Sequence, residues 1–192
     1  MECSVRPRRD LPTPDSPPFT PRSVVRDPGV RLDLALQNRV GRSVGTMSEP
    51  SDPAVRNAAL TERFWDDLFQ RDFDAVGAWF THDGNYRDVP APEDGAFGPS
   101  EVTARLRLGL APLAGYEHVP GWTITAQGDT VVTEHREHWT WDTGDEVVLP
   151  FVSIHQWNDD GLLTRWWDYW DMSTLMNAAP ASWVEHIMSG YK

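Results

Sequence analysis

One aspartate set between two tryptophans of matching parity, in Trp166-Trp167-Asp168-Tyr169-Trp170, is the segment of this chain that most clearly carries chemistry. In an extended strand alternate residues share a face, so Trp166, Asp168 and Trp170 point one way and Arg165, Trp167 and Tyr169 the other. A carboxylate buried unpaired among indoles is costly, so Asp168 is expected to meet a partner across a cavity. His135 and Glu137 are the candidates. Over residues 130–141 one face carries Thr133, His135, Glu137, Trp139 and Trp141, and the other carries Glu134, Arg136, His138 and Thr140. The second set suits solvent, whereas the first reads as a pocket wall with a few polar groups. Between these strands Leu149, Phe151, Ser153 and His155 share a face. Acids crowded into an apolar pocket cannot all ionise freely, so at least one should hold its proton and act as a donor. That supports general acid/base work on an uncharged, lipophilic substrate: epoxide opening, cyclisation, dehydration or isomerisation.

The run His135-Arg136-Glu137-His138 also invites a metal reading. Two histidines three apart on a strand face opposite ways and cannot chelate one ion, so no metal is expected. Nor is a cofactor expected. The chain shows no activated Ser or Cys pattern, phosphate loop or nucleotide fingerprint.

The elements that must position these residues follow from periodicity and punctuation. Asp52-Pro53 is a helix-start signal, and Ala59, Leu60, Phe64, Leu68 and Phe69 fall at helical spacing to about residue 70. Phe73, Val76, Trp79 and Phe80 share one face of a shorter second helix. His82-Asp83-Gly84 reads as a turn before a short strand over 85–89, stopped by Pro90-Ala91-Pro92, and Ser100 is placed to cap a third helix over about 101–113. After Gly115 the period changes to that of strands: 116–126, 130–141, 147–157 and 162–171, joined by tight turns at Gly128-Asp129, Asp142–Asp145 and Asn158–Gly161. Asp171 should cap a short helix over 172–177, with another over 181–189. Helices ahead of an antiparallel sheet make an α+β fold, expected as a cone-shaped curved sheet packed by helices and enclosing an apolar pocket.

Four segments carry a family likeness: Asn85-Tyr86-Arg87-Asp88-Val89-Pro90, Thr133-Glu134-His135-Arg136-Glu137, the glycine turn near Gly161, and Trp167-Asp168-Tyr169-Trp170-Asp171. Over about residues 55–178 the chain resembles the limonene-1,2-epoxide hydrolase and SnoaL-like branch of the nuclear-transport-factor-2-like superfamily. The resemblance implies a cone fold, usually dimeric, and hence a homodimer. It also implies a hydrolase site in which a last-strand carboxylate activates water held by a tyrosine and an asparagine, while a second acid protonates the epoxide and an arginine bridges both acids. Those positions hold Asp168, Tyr86, Asp88, Glu137 and His135, which makes these five the candidate catalytic residues, with Asp168 as base and Glu137 as acid. Three are departures: Asp88 replaces the asparagine, Glu137 an aspartate and His135 the arginine. The last matters most, because an arginine is a permanent fork and a histidine can lose its proton near neutrality. Trp139, Leu149, Phe151, Trp166 and Trp170 are the candidate substrate-binding wall. Trp167 and Tyr169, on the other face, should meet helices or a partner subunit.

Composition bounds the alternatives. The chain has 192 residues, 40% of them hydrophobic, enough for a real core. A net charge of −12 argues against nucleic acid and anionic membrane surfaces as partners. The single cysteine, Cys3, excludes a disulfide framework and points to a reducing, cytoplasmic setting. Residues 1–47 hold eight Arg, seven Pro and one aromatic ring, too little to offset chain entropy, so this stretch is expected to be disordered ahead of a cone domain over 50–192. A start at Met47, with the preceding residues outside the native protein, is the more economical reading. The rival to an enzyme is a module that holds an apolar ligand, its polar residues only orienting it.

Overall fold

The computed structural model describes residues 52–190; the stretch 1–47, expected to be disordered, lies outside them. Helix α1 (Pro53–Phe69) opens as its start signal predicts: the Asp52 carboxylate accepts the Ala54 amide at 2.9 Å, and proline occupies the first turn, where an N–H would have no helical partner. Its buried stripe is Asn57, Thr61, Phe64, Trp65 and Leu68. Helix α2 (Phe73–Ala78) is capped by Asp72, and Phe80 opens the next strand instead of continuing the helical face.

Strand β1 (Phe80–Asp88) contains His82-Asp83-Gly84, the expected turn. Its pairing shifts register between Phe80 and Asn85, so the turn-forming residues bend a strand without ending it. A two-residue strand, β2 (Ala96–Phe97), precedes α3 (Gly98–Leu110). Ser100 does not cap α3. The helix starts at Gly98, and Glu101 reaches back to accept the Phe97 amide at 2.9 Å. Gly98 has φ +69°, and a Cβ there would stand 2.5 Å from the His82 carbonyl oxygen, so only glycine lets α3 begin this close to β1.

A meander follows, β3 (Gly115–Gln127), β4 (Thr130–Thr140), β5 (Glu146–Trp157) and β6 (Leu163–Tyr169), then α4 (Met172–Ala178) and α5 (Ala181–Gly190). Asp171 caps α4 as expected, accepting the Thr174 amide at 2.6 Å. The sheet runs β2-β1-β6-β5-β4-β3. It is α+β and curved, but mixed, not wholly antiparallel: β1 and β6 are parallel, with Tyr86 opposite Trp166 and Asp88 opposite Asp168. Parallel neighbours need a long crossover, and here α3 and the first three strands of the meander supply it. Tight turns are visible in sequence; the return of the last strand to the first is not.

The inward faces are those that alternation predicts, with Thr133, His135, Glu137 and Trp139 on β4, Leu149, Phe151, Ser153 and His155 on β5, and Trp166 and Asp168 on β6 all buried. Trp167 and Tyr169 face outward and meet no helix. The Trp167 ring lies near the guanidinium groups of Arg87 and Arg165, and its indole donates to Asn85 Oδ1 at 2.7 Å. Among the described residues no helix is long and apolar enough to cross a membrane.

Helix α1 is fastened to the concave face by polar bonds as well as by its aromatic stripe. Asn57 Nδ2 donates to the Gly128 carbonyl at 2.9 Å, and the buried Thr61 hydroxyl accepts the Trp157 indole at 3.0 Å while donating to the Asn57 carbonyl. Thr61→Val keeps the shape but strands the indole N–H, and should cost about 1–3 kcal/mol. Equilibrium urea unfolding checks this; an unchanged midpoint would mean the bond adds nothing.

Candidate active site

The concave face of the sheet and helices α3, α4 and α5 enclose a cavity of about 290 Å³, at the small end of ligand sites. Alternation along β4 and β6 aims Glu137 and Asp168 at it, and β1 brings Tyr86 and Asp88 alongside. Tyr86, Asp88, Glu137, Trp139, Phe151, Trp166, Asp168 and Trp170 all line the cavity. Two candidates do not. His135 and Leu149 are buried behind the wall, because their positions lie beneath α1 or within the core.

Glu137 is buried and met by three side chains. Its Oε1 accepts the Tyr116 hydroxyl at 2.9 Å and His135 Nε2 at 3.2 Å, and its Oε2 accepts the Trp139 indole at 2.8 Å. These contacts place the imidazole proton on Nε2, toward the acid. Three polar side chains thus converge on one buried carboxyl. Burial and the neighbouring Glu137 charge push the Tyr116 hydroxyl well above its ordinary value, so it remains a donor.

Asp168 sits in the opposite condition. It does not reach His135 or Glu137, the partners expected for it, and its Oδ1 is buried with no hydrogen-bond partner among the described residues. Burial first, then the Asp88 and Glu137 charges, push its pKa well above the ordinary carboxylate value; the Ser153 hydroxyl and Trp166 offset part of that rise. Its carboxyl faces an apolar space that favours the protonated form. A raised proton affinity suits Asp168 to donating a proton as well as to the expected role of base.

Asp88 is more than a strand-end turn residue. Its Oδ1 accepts the Tyr86 hydroxyl and the Trp170 indole, each at 3.1 Å, and its Oδ2 accepts Arg105 Nε and Nη2 at 3.2 and 3.1 Å. Arg105 also approaches Glu93 Oε1 at 3.9 Å and lies over the Tyr86 ring. Arg105 and Tyr116 are site residues that sequence reasoning missed. Arg105 was hidden among the polar residues of a helix, and Tyr116 lies 21 residues from Glu137 on another strand, so no local spacing links the two. Among the described residues, no group of three or more His, Cys, Asp or Glu is placed to hold a metal ion.

A model of the SnoaL-like domain matches residues 61–166, more than half of the chain, and the chain belongs to that family. Solved structures share its fold. A protein described as a SnoaL-like polyketide cyclase, from Shewanella putrefaciens CN-32, aligns with a TM-score of 0.57 at 16% identity, over 64% of this chain and 95% of its own. An LEH-like epoxide hydrolase from M. tuberculosis aligns at 0.56 and 23% identity, over 74% and 98%. TerC, co-crystallised with polyporic acid, aligns at 0.55 and 20%, over 64% and 96%. At these identities the likeness carries the fold alone. No curated protein matches the sequence.

Two buried groups give opposite pH signatures in stability. Burial lowers His155 from 6.5 to about 3, so the unfolded chain takes up a proton there that the fold refuses. Stability should fall between pH 6.5 and about 3 by up to about 1.4 kcal/mol per unit, and His155→Phe should flatten that limb. Asp168 acts the other way: its contribution is present below the ordinary carboxylate range and lost as pH rises toward its elevated pKa. Asp168→Asn should therefore gain stability relative to the parent as pH rises. Denaturant melts across pH measure both slopes, and a pH-independent difference for either variant contradicts the burial argument.

Proposed function

We propose that this protein is a small-molecule enzyme that performs general acid/base chemistry on a lipophilic, uncharged substrate, with water addition to an epoxide as its most concrete form. The carrying observation is the buried Asp168 carboxyl on the wall of an aromatic-lined cavity, where burial raises its proton affinity. Asp168 delivers its proton to the epoxide oxygen as the carbon–oxygen bond breaks. A water molecule forms the new carbon–oxygen bond and passes its proton to the Glu137 carboxylate, which Tyr116, His135 and Trp139 keep in position. Asp88, paired with Arg105 and bonded to Tyr86 and Trp170, shapes the wall beside Asp168, and its negative charge raises the proton affinity of Asp168. The residues present need no cofactor for this step.

The family and its cyclase-described relative favour a second reading in the same pocket, in which Asp168 protonates a carbonyl oxygen and Glu137 removes a proton from carbon, giving isomerisation or cyclisation. A homodimer belongs to this proposal as well. Val148, Val152 and Tyr169 leave an exposed apolar patch on the outer sheet face for a second copy to cover.

Turnover of a panel of lipophilic epoxides in ¹⁸O-labelled water tests the reading: labelled diol is expected, and unlabelled isomer favours the second reaction. Asp168→Asn should lose at least about 100-fold in kcat/KM. With Asp168 as the acid, kcat/KM should fall as pH rises through its titration; a rise over that range would make it the base. Retention of every compound unchanged, with quenched tryptophan fluorescence, would leave a binding module.

A further inference from the structure

Beside the cavity lies a row of inward side chains with no function assigned above. Thr133 on β4 is directly opposite Ser153 on β5, which is directly opposite Asp168 on β6. Opposed residues in antiparallel strands bring their Cβ atoms about 4.5–5.5 Å apart on one face. Thr133 and Ser153 are completely buried and Asp168 nearly so. Thr133 Oγ1, Ser153 Oγ and Asp168 Oδ1 each lack a hydrogen-bond partner among the described residues. Buried polar atoms are seldom left unmatched, and three adjoining orphans in one row can satisfy one another in a single chain.

We propose that Ser153, backed by Thr133, is the positioning residue of Asp168. The Thr133 hydroxyl donates to Ser153 Oγ, and the Ser153 hydroxyl donates to Asp168 Oδ1. This turns the carboxyl so that Oδ1 faces the sheet and the proton-bearing oxygen faces the cavity. The inference rests on the reading of Asp168 as a proton donor and adds what aims it. Hydroxyls suit the task because they orient an acid without adding charge beside it; a lysine or arginine here would strip its proton. The remaining ionisable groups around Asp168 are Asp88 and Tyr86 on β1, Tyr116 on β3, His135 and Glu137 on β4, His155 on β5 and, through Asp88, Arg105 on α3. None of them lies in this row.

Carbon-13 NMR of the full chain with labelled aspartate, assigned by Asp168→Asn, reads the Asp168 titration directly and needs no substrate. A hydroxyl that donates to the carboxylate favours ionisation, so Ser153→Ala should move the titration upward by about one pH unit, a tenfold change in proton affinity. Thr133→Val should move it the same way by less, and should add nothing in the Ser153→Ala background, because Thr133 acts only through Ser153. An unmoved titration in Ser153→Ala, or a Thr133→Val shift that survives undiminished in the double variant, overturns the proposal. Should Ser153→Ala fail to fold, Thr133→Val alone decides, and no shift overturns the chain. Absence of turnover with the titration shifts intact would remove the catalytic reading and leave the positioning role standing. Turnover with no shift would do the reverse.

Discussion

Two carboxyl groups buried on one concave wall cannot both carry a charge at low cost, and most of what is distinctive in this structure resolves that conflict. Desolvation penalises each charge, and each charge penalises the other. Glu137 is relieved by three donors from β3 and β4. Asp168 receives no comparable set among the described residues, and burial raises its proton affinity. A third acid, Asp88, is neutralised by an arginine. Three carboxyls around one cavity thus meet three different sets of partners.

The same constraint accounts for the substitution of histidine where the hydrolase resemblance implies arginine. An arginine beside both acids would hold both ionised. His135 instead serves Glu137 alone, stacked against Phe151 and packed under Trp65, and is sealed from the cavity. The cation has in effect moved to α3, where Arg105 pairs with Asp88 at the side of the pocket.

Helix α1 and the C-terminal helices divide the labour around this wall. The α1 aromatics close the sheet over His135 and His155, and polar bonds from Asn57 and Thr61 hold the helix in place. Helices α4 and α5 give the cavity its apolar roof, with the Trp183 indole bonded to the Gly109 carbonyl of α3 at 3.1 Å. Burial under this apolar roof raises the proton affinity of Asp168.

Residue order alone determined which side chains face inward, because alternation in a strand is a local property: Trp166 and Asp168, or His135, Glu137 and Trp139, share a face whatever lies opposite. It also determined the strand turns, the caps at Asp52 and Asp171 and the α+β class, since each is set within a few residues. The tertiary structure decided the rest. The parallel seating of β6 on β1 joins segments about 80 residues apart, and no local signal announces it. Tyr116 meets Glu137 from 21 residues away, and Arg105 meets Asp88 from 17, on separate elements. Which side chains converge on each acid is settled only once the strands are side by side.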